Sequence, residues 1–147
     1  MSTIIDVADA LVVAVNGAGV VLDDEQLVAT RKYVPIASLE SLAAPLLTIV
    51  PKSMEIEIVG RGQSAHNVQI DIALQRRIDS LDQEMIDETL DAMDAIEAAI
   101  RLRKLSLPGG VQATWIGADV MAWNPVHLKD YHVVTTLLTV TYRVYQG

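Results

Sequence analysis

"SMEIEIVGRGQSAHNVQIDIALQRRI", residues 53–78, decides how the rest of the chain is read. In its first half Met54, Ile56 and Ile58 fall on one side and Glu55 and Glu57 on the other. In its second half Val68, Ile70, Ile72 and Leu74 share a face, and Asn67, Gln69, Asp71 and Gln75 share the opposite one. A side-chain period of two belongs to a strand with one dry side, so the stretch predicts a long β-hairpin. Its tip is the small polar loop from Gly60 to Ala65, where Gly60 and Gly62, either side of Arg61, permit a tight turn.

Upstream of the hairpin, residues 46–50 begin a strand that Pro51 interrupts. Proline cannot donate to a ladder, which predicts an edge, a bulge or a bend at that point. Residues 38–44 read as a helical turn ended by Pro45, and residues 26–36 as an extended segment. At the N-terminal end, Ile4, Ala8, Leu11, Val12 and Val15 recur at helical spacing. Thr3-x-x-Asp6 resembles a capping box for that helix, and Asn16-Gly17 its stop.

Downstream, residues 80–105 predict the longest helix, with Ser80-x-x-Gln83 as its cap. Ile86, Leu90, Met93, Ile96 and Ile100 make its buried stripe. Asp82, Glu84, Asp87, Glu88, Asp91, Asp94 and Glu97 leave the early turns acidic, while Arg101, Arg103 and Lys104 close it, an order that suits the helix dipole. Pro108-Gly109-Gly110 separates this helix from the next element. A strand over 112–118, a polar loop over 122–130 and a long strand over 131–145 complete the chain. The expectation is one α+β domain over residues 1–147, an antiparallel sheet of about four strands with a long β-hairpin, covered by two main α-helices.

Composition narrows the function classes. A chain of 147 residues, half of it apolar, buries a real core, and with no Phe that core is aliphatic. The net charge of −8 disfavours nucleic-acid binding, which draws on Lys and Arg to neutralise phosphates. Without cysteine there are no disulfides, thiol nucleophiles or thiolate metal sites. No basic residue precedes Arg31 and no apolar run approaches the ~20 residues of a membrane span, so neither signal peptide nor membrane partner is expected. Gly17-Ala18-Gly19 follows a helix rather than a strand, and Leu22 stands where a dinucleotide fingerprint needs its third glycine, so it reads as a plain turn. His66, His127 and His132 lack zinc-ligand spacing, and no G-x-S-x-G turn supports a catalytic triad. Glu55, Glu57 and Asp71 form the best constellation for a divalent ion, but without a lysine beside them to serve phosphate chemistry. The expectation is a protein with no cofactor and no enzymatic activity.

Three segments together resemble the tail-terminator proteins of long-tailed bacteriophages. They are "LESLAAPLLTIVPKSMEIEIVGRG" at 39–62, "NVQIDIALQRRI" at 67–78 ahead of an acidic-then-basic helix, and "NPVHLKDYHVVTTLLTVTYR" at 124–143. Val134 departs from the pattern, standing where an aromatic belongs. The resemblance implies a structural virion protein at the head-proximal end of the tail, assembled in the host cytoplasm. Its partners would be five further copies in a hexameric ring, the major tail tube protein, and the head-tail connector or stopper. DNA would pass through the ring without specific binding, repelled by acidic walls. The surfaces expected to meet a neighbour or the tube are Glu55, Glu57, Arg61 and Gln63 on the hairpin, with Trp123, His127, Leu128 and Arg143 near the chain's other end. Glu84, Asp87, Glu88, Asp91 and Asp94 are expected to face or rim the channel. The alternatives are another tail-completion or head-tail connector protein, and a small acidic metal-dependent nuclease built on Glu55, Glu57 and Asp71.

Overall fold

The computed structural model of the chain describes residues 2–33, 44–78, 83–122 and 124–146. The expected turn at 38–44 (save Ala44), the Ser80 cap, Asp82 and Trp123 lie outside the described residues. The elements run α1 (Thr3–Ala18), β1 (Val21–Leu22), β2 (Glu25–Gln26), β3 (Ala29–Arg31), β4 (Leu46–Gly60) and β5 (Gln63–Arg77). They continue with α2 (Gln83–Ile100), β6 (Leu105–Ser106), a 3-10 turn at Pro108–Gly110, β7 (Gln112–Met121), α3 (Pro125–Tyr131) and β8 (Val133–Gln146). The α+β class holds. The sheet has six strands rather than about four, in the order β3-β4-β5-β8-β7-β6, and β1 and β2 form a separate ribbon. All neighbours are antiparallel except β3, which lies parallel to β4.

The expected hairpin is β4–β5, in register from Leu46↔Gln75 to Gly60↔Gln63. Pro51 sits at a bulge, as proline in a ladder requires, with the register shifting between Pro51 and Ser53. The turn is shorter than the loop 60–65 foreseen. Only Arg61 and Gly62 lie outside the strands, only Gly62 there takes positive φ (73°), and Ala65 is fully buried within β5. β8 then pairs with β5 along its whole length, from Arg77↔Val133 to Ser64↔Gln146.

α1 and α2 pack one face of this sheet. Val7, Ala8, Leu11 and Val15 of α1, with Ala92, Met93, Ile96 and Ile100 of α2, close over Leu47, Ile49, Val68, Ile70, Ile72, Leu74, Leu138, Val140 and Tyr142. The stripes read from helical spacing are largely those observed, though Ile4, Val12, Ile86 and Leu90 are only partly buried. The ends of α1 differ. Ser2 precedes it without a side-chain cap, and Gly19, at φ 65°, closes it by donating to the Asn16 carbonyl. Asn16 is instead a clamp. Its Oδ1 accepts from the Ala29 N–H (2.7 Å) and its Nδ2 donates to the Ala29 carbonyl (3.3 Å), seating β3 beside β4.

The dry side of β4 ends half-way along it. Ile49 is fully buried, but Ile56 is 55% and Ile58 83% exposed. The reason is the path of α1, which crosses the sheet from Asn16, bonded to Ala29 of β3, to Thr3, whose hydroxyl accepts from Gln146 Nε2 at the end of β8 (2.6 Å). β5 is therefore buried or half-buried along most of its length, down to Ser64 near the tip, while the distal half of β4 lies outside the cover.

Within the core the Tyr142 hydroxyl is buried and has no hydrogen-bond partner among the described residues, and burial raises its pKa. Below the ordinary value of 10.0 both folded and unfolded chains keep the proton. Above it only the unfolded chain releases it, so this group's share of stability is lost as pH rises past about 10. Tyr142→Phe removes an orphaned buried polar group and should leave stability unchanged or raise it by up to about 1–2 kcal/mol near neutral pH. Denaturant unfolding of both proteins between neutral pH and about pH 11 checks this. A wild type that falls no faster than the variant above pH 10 refutes it.

Candidate functional site

β3 pairs with β4 only from Leu47 to Ile49, after which Lys32 adds one bond to the Ile49 carbonyl. Among the described residues, nothing pairs with the outer edge of β4 from Pro51 to the tip. An open strand edge offers backbone donors and acceptors to any extended chain, and folded proteins usually cover or charge it. This one carries Lys52 and the bulge near its root, but then Ile56, Ile58 and Val59 stand exposed along it. Glu55 and Glu57 are exposed on the opposite face, and Arg61 and Gln63 at the tip are exposed. The four hairpin residues expected to meet a partner therefore cluster at the distal end of the hairpin.

The sheet face turned away from α1 and α2 is polar and self-satisfied. Asp71 accepts from Thr139 Oγ1 (2.7 Å) and faces Lys52 Nζ at 3.9 Å, while Ser53 donates to Gln69 (3.1 Å). Arg143, half-buried, donates from Nε to Asn67 Oδ1 at 2.8 Å. With Ser53, Glu55, Gln69 and Thr141 it borders a hollow of about 280 Å³. Asp71 pairs across from Val50 and Glu55 across from Asn67. Four residues along a strand separate these rows, about 13 Å, so Glu55, Glu57 and Asp71 do not converge on one ion. No group of three ligating side chains converges among the described residues.

The segment expected to be a polar loop contains α3. Asn124 caps it, its Oδ1 accepting from Val126 N (3.0 Å) and His127 N (3.3 Å), with Pro125 in the first turn where its missing N–H costs nothing. His127 Nδ1 meets Thr135 Oγ1 at 2.8 Å, fastening α3 to β8. His127 and Leu128 are half-buried rather than displayed.

On α2 the acids Glu84, Asp87, Glu88, Asp91 and Asp94 are exposed, as a solvent face would be. Glu97 differs, because hydrogen bonds from Arg101 (Nε to Oε1, 2.7 Å) hold its carboxyl below the usual range. Glu88 is one arm of an ion network that sequence reading missed. Arg76, 3% exposed, donates to Asp23 (Nε to Oδ2, 3.2 Å, with a second bond from Nη2), to Glu88 (3.2 Å) and to the Met85 carbonyl (3.0 Å). One signal was there: Arg76 continues the even-numbered dry face of Val68, Ile70, Ile72 and Leu74. Its partner Asp23 stands with Asp24 in the β1–β2 turn, both at positive φ (56° and 62°). Among the described residues no helix is long and apolar enough to cross a membrane. No protein-family model matches the chain, and no curated protein matches it.

Arg76→Ala should destabilise the fold by about 2–3 kcal/mol. That is less than the ~3–5 kcal/mol of a fully buried pair, since Asp23 and Glu88 are about half exposed and rehydrate. Urea unfolding measures it. A loss within ~0.5 kcal/mol would mark the network as surface decoration.

Proposed function

We propose that the protein is a ring-forming structural component at the head-proximal end of a bacteriophage tail, ending tube growth and offering the surface that joins the head. The observation that carries this reading is the distal half of β4, with its open edge and exposed Ile56, Ile58 and Val59. An edge of this kind is completed by a strand edge of another chain, and a second copy supplies one. A closed ring needs two different faces on each subunit, and an edge joined to a different face of a neighbour provides them. Six copies follow from the family resemblance. A ring of six would carry six times the −8 of one chain, a field that keeps DNA moving through rather than bound. The acids of α2 and those of the hairpin are the candidates for that lining. At the tip, Arg61 beside Gly62 can approach a carboxylate closely and grip it with two parallel hydrogen bonds. Its target is the neighbouring subunit or the tube ring beneath.

Arg61→Glu should fold as the wild type does, because the site is exposed and surface changes stay within about ±0.5 kcal/mol. Infected cells carrying it should accumulate headless tubes of uncontrolled length, visible by electron microscopy. Tails of normal length with normal infectivity would sink the role of the tip. A ring on the wild-type tail with any symmetry but six, or at the distal end, would overturn the reading itself.

A further inference from the structure

Two surfaces along α2 fit each other in charge and polarity, one just past its C-terminal end and the other at its middle. Past its C-terminal end, residues 101–104 read Arg-Leu-Arg-Lys, and all four are exposed. Leu102 is 77% exposed and sits at φ 60°, a left-handed backbone that an ordinary leucine avoids. Arg101 is engaged by Glu97, while Arg103 and Lys104 have no ion pair among the described residues. The other surface is a groove of about 830 Å³ between β1 and the middle of α2. Its apolar wall includes Val20, Val21, Ala92 and Ala95, with Val21 57% exposed. Asp24 and Asp91 line it too, and neither has an ion pair among the described residues. From Ala95, the groove residue nearest the C-terminal end, α2 rises about 7.5 Å to Ile100, and Leu102, beyond the helix, is not part of the groove lining.

We propose that residues 101–104 of one copy seat in the β1–α2 groove of the next, with Leu102 on the apolar wall and Arg103 and Lys104 facing Asp24 and Asp91. An exposed leucine flanked by cations matches an apolar groove flanked by acids, in charge and in polarity. Burying Leu102 gives a gain that the strained, solvent-facing loop lacks in the single chain. The contact is heterologous, joining two different faces of the same chain, so it propagates into a closed ring or a filament. It is separate from the hairpin edge and holds wherever in a particle such a ring sits.

Two charge-altered proteins test it. One carries Arg103→Glu with Lys104→Glu, and the other Asp24→Asn with Asp91→Lys, Asn being tolerant of the left-handed backbone. Sedimentation velocity at low ionic strength should show the wild type associating as its concentration rises. Each variant alone should associate about tenfold more weakly or worse. An equimolar mixture should recover, because the reversed loop then meets the reversed groove and the native loop the native groove. Leu102→Asp, a change outside the core, should give the same loss as the loop variant if either charge variant fails to fold. A wild type that stays monomeric at all concentrations, variants that associate like it, or a mixture that does not recover would each overturn the contact. Monomeric wild type that binds a basic peptide instead would assign the groove to another protein. Because the readout uses purified chain and no phage, its failure leaves the tail role standing, and failure of the tail role leaves this result intact.

Discussion

The path of α1, part of the helical roof, decides which strands are dry. It runs from Asn16, bonded to Ala29 of β3, to Thr3, bonded to Gln146 at the end of β8, so β5 and β8 are covered almost to the hairpin tip while the distal half of β4 is not. Under the roof the sheet is dry on the helix side and largely covered on the other, where Thr48, Gln75 and Thr135 are buried as well. Beyond it the same alternation continues, but with nothing to bury against. Ile56 and Ile58 of β4 are core residues in pattern and surface residues in fact.

At the roofed end the difficulty is reversed, since a cation lies where the pattern calls for an aliphatic. Arg76 is accommodated because two elements remote in sequence bring acids to it, Asp23 from the tight β1–β2 turn and Glu88 from α2. The turn takes two aspartates through left-handed backbone, a conformation Asp tolerates better than most residues. The network joins the ribbon, the central strand and the second helix. The lower end of the sheet is thus held by charge and the middle by aliphatic packing.

What the sequence disclosed divides along physical lines. Alternation and helical spacing are local, and they located β4, β5, β8 and α1 closely, but α2 ends at Ile100 rather than near 105, so Arg101, Arg103 and Lys104 lie past the helix instead of closing it. Two- and three-residue strands such as β6 and β3 are too short to show a period, and the pairing of β3 depends on Asn16 reaching across to Ala29. α3 did announce itself, in Asn124 followed by Pro125, but seven residues with no buried side chain show no hydrophobic stripe. The candidate residues fared unevenly for the same reason. Alternation assigned Glu55 and Glu57 to a wet face correctly, yet it carries no information on whether the opposite face is covered. The spacing of Glu55 and Asp71 looked like a cluster only because sequence does not show how far apart two rows of a hairpin lie. Arg143 looked available until its bond to Asn67 was seen.

The pairing of β5 has a further consequence, in time rather than in space. Its partner on one side, β4, is joined to it by a two-residue turn, and such hairpins close in about 1–10 μs. Its partner on the other side lies far along the chain; Asp71 and Thr139, hydrogen-bonded across the ladder, are 68 residues apart. Closing so wide a loop is entropically slow, and α2, β6 and β7 must be accommodated within it. The nascent fold therefore passes through an interval in which the hairpin exists with both edges open, one destined for β8 and the other, past Pro51, with no partner strand among the described residues even in the folded chain. A chaperone that shields extended segments would cover those edges meanwhile, whereas slow synthesis of the chain up to β8 would prolong the exposure and crowding many copies together would worsen its consequences. A strand edge that makes a good joint in an assembly is, during those moments, also the place where folding goes wrong.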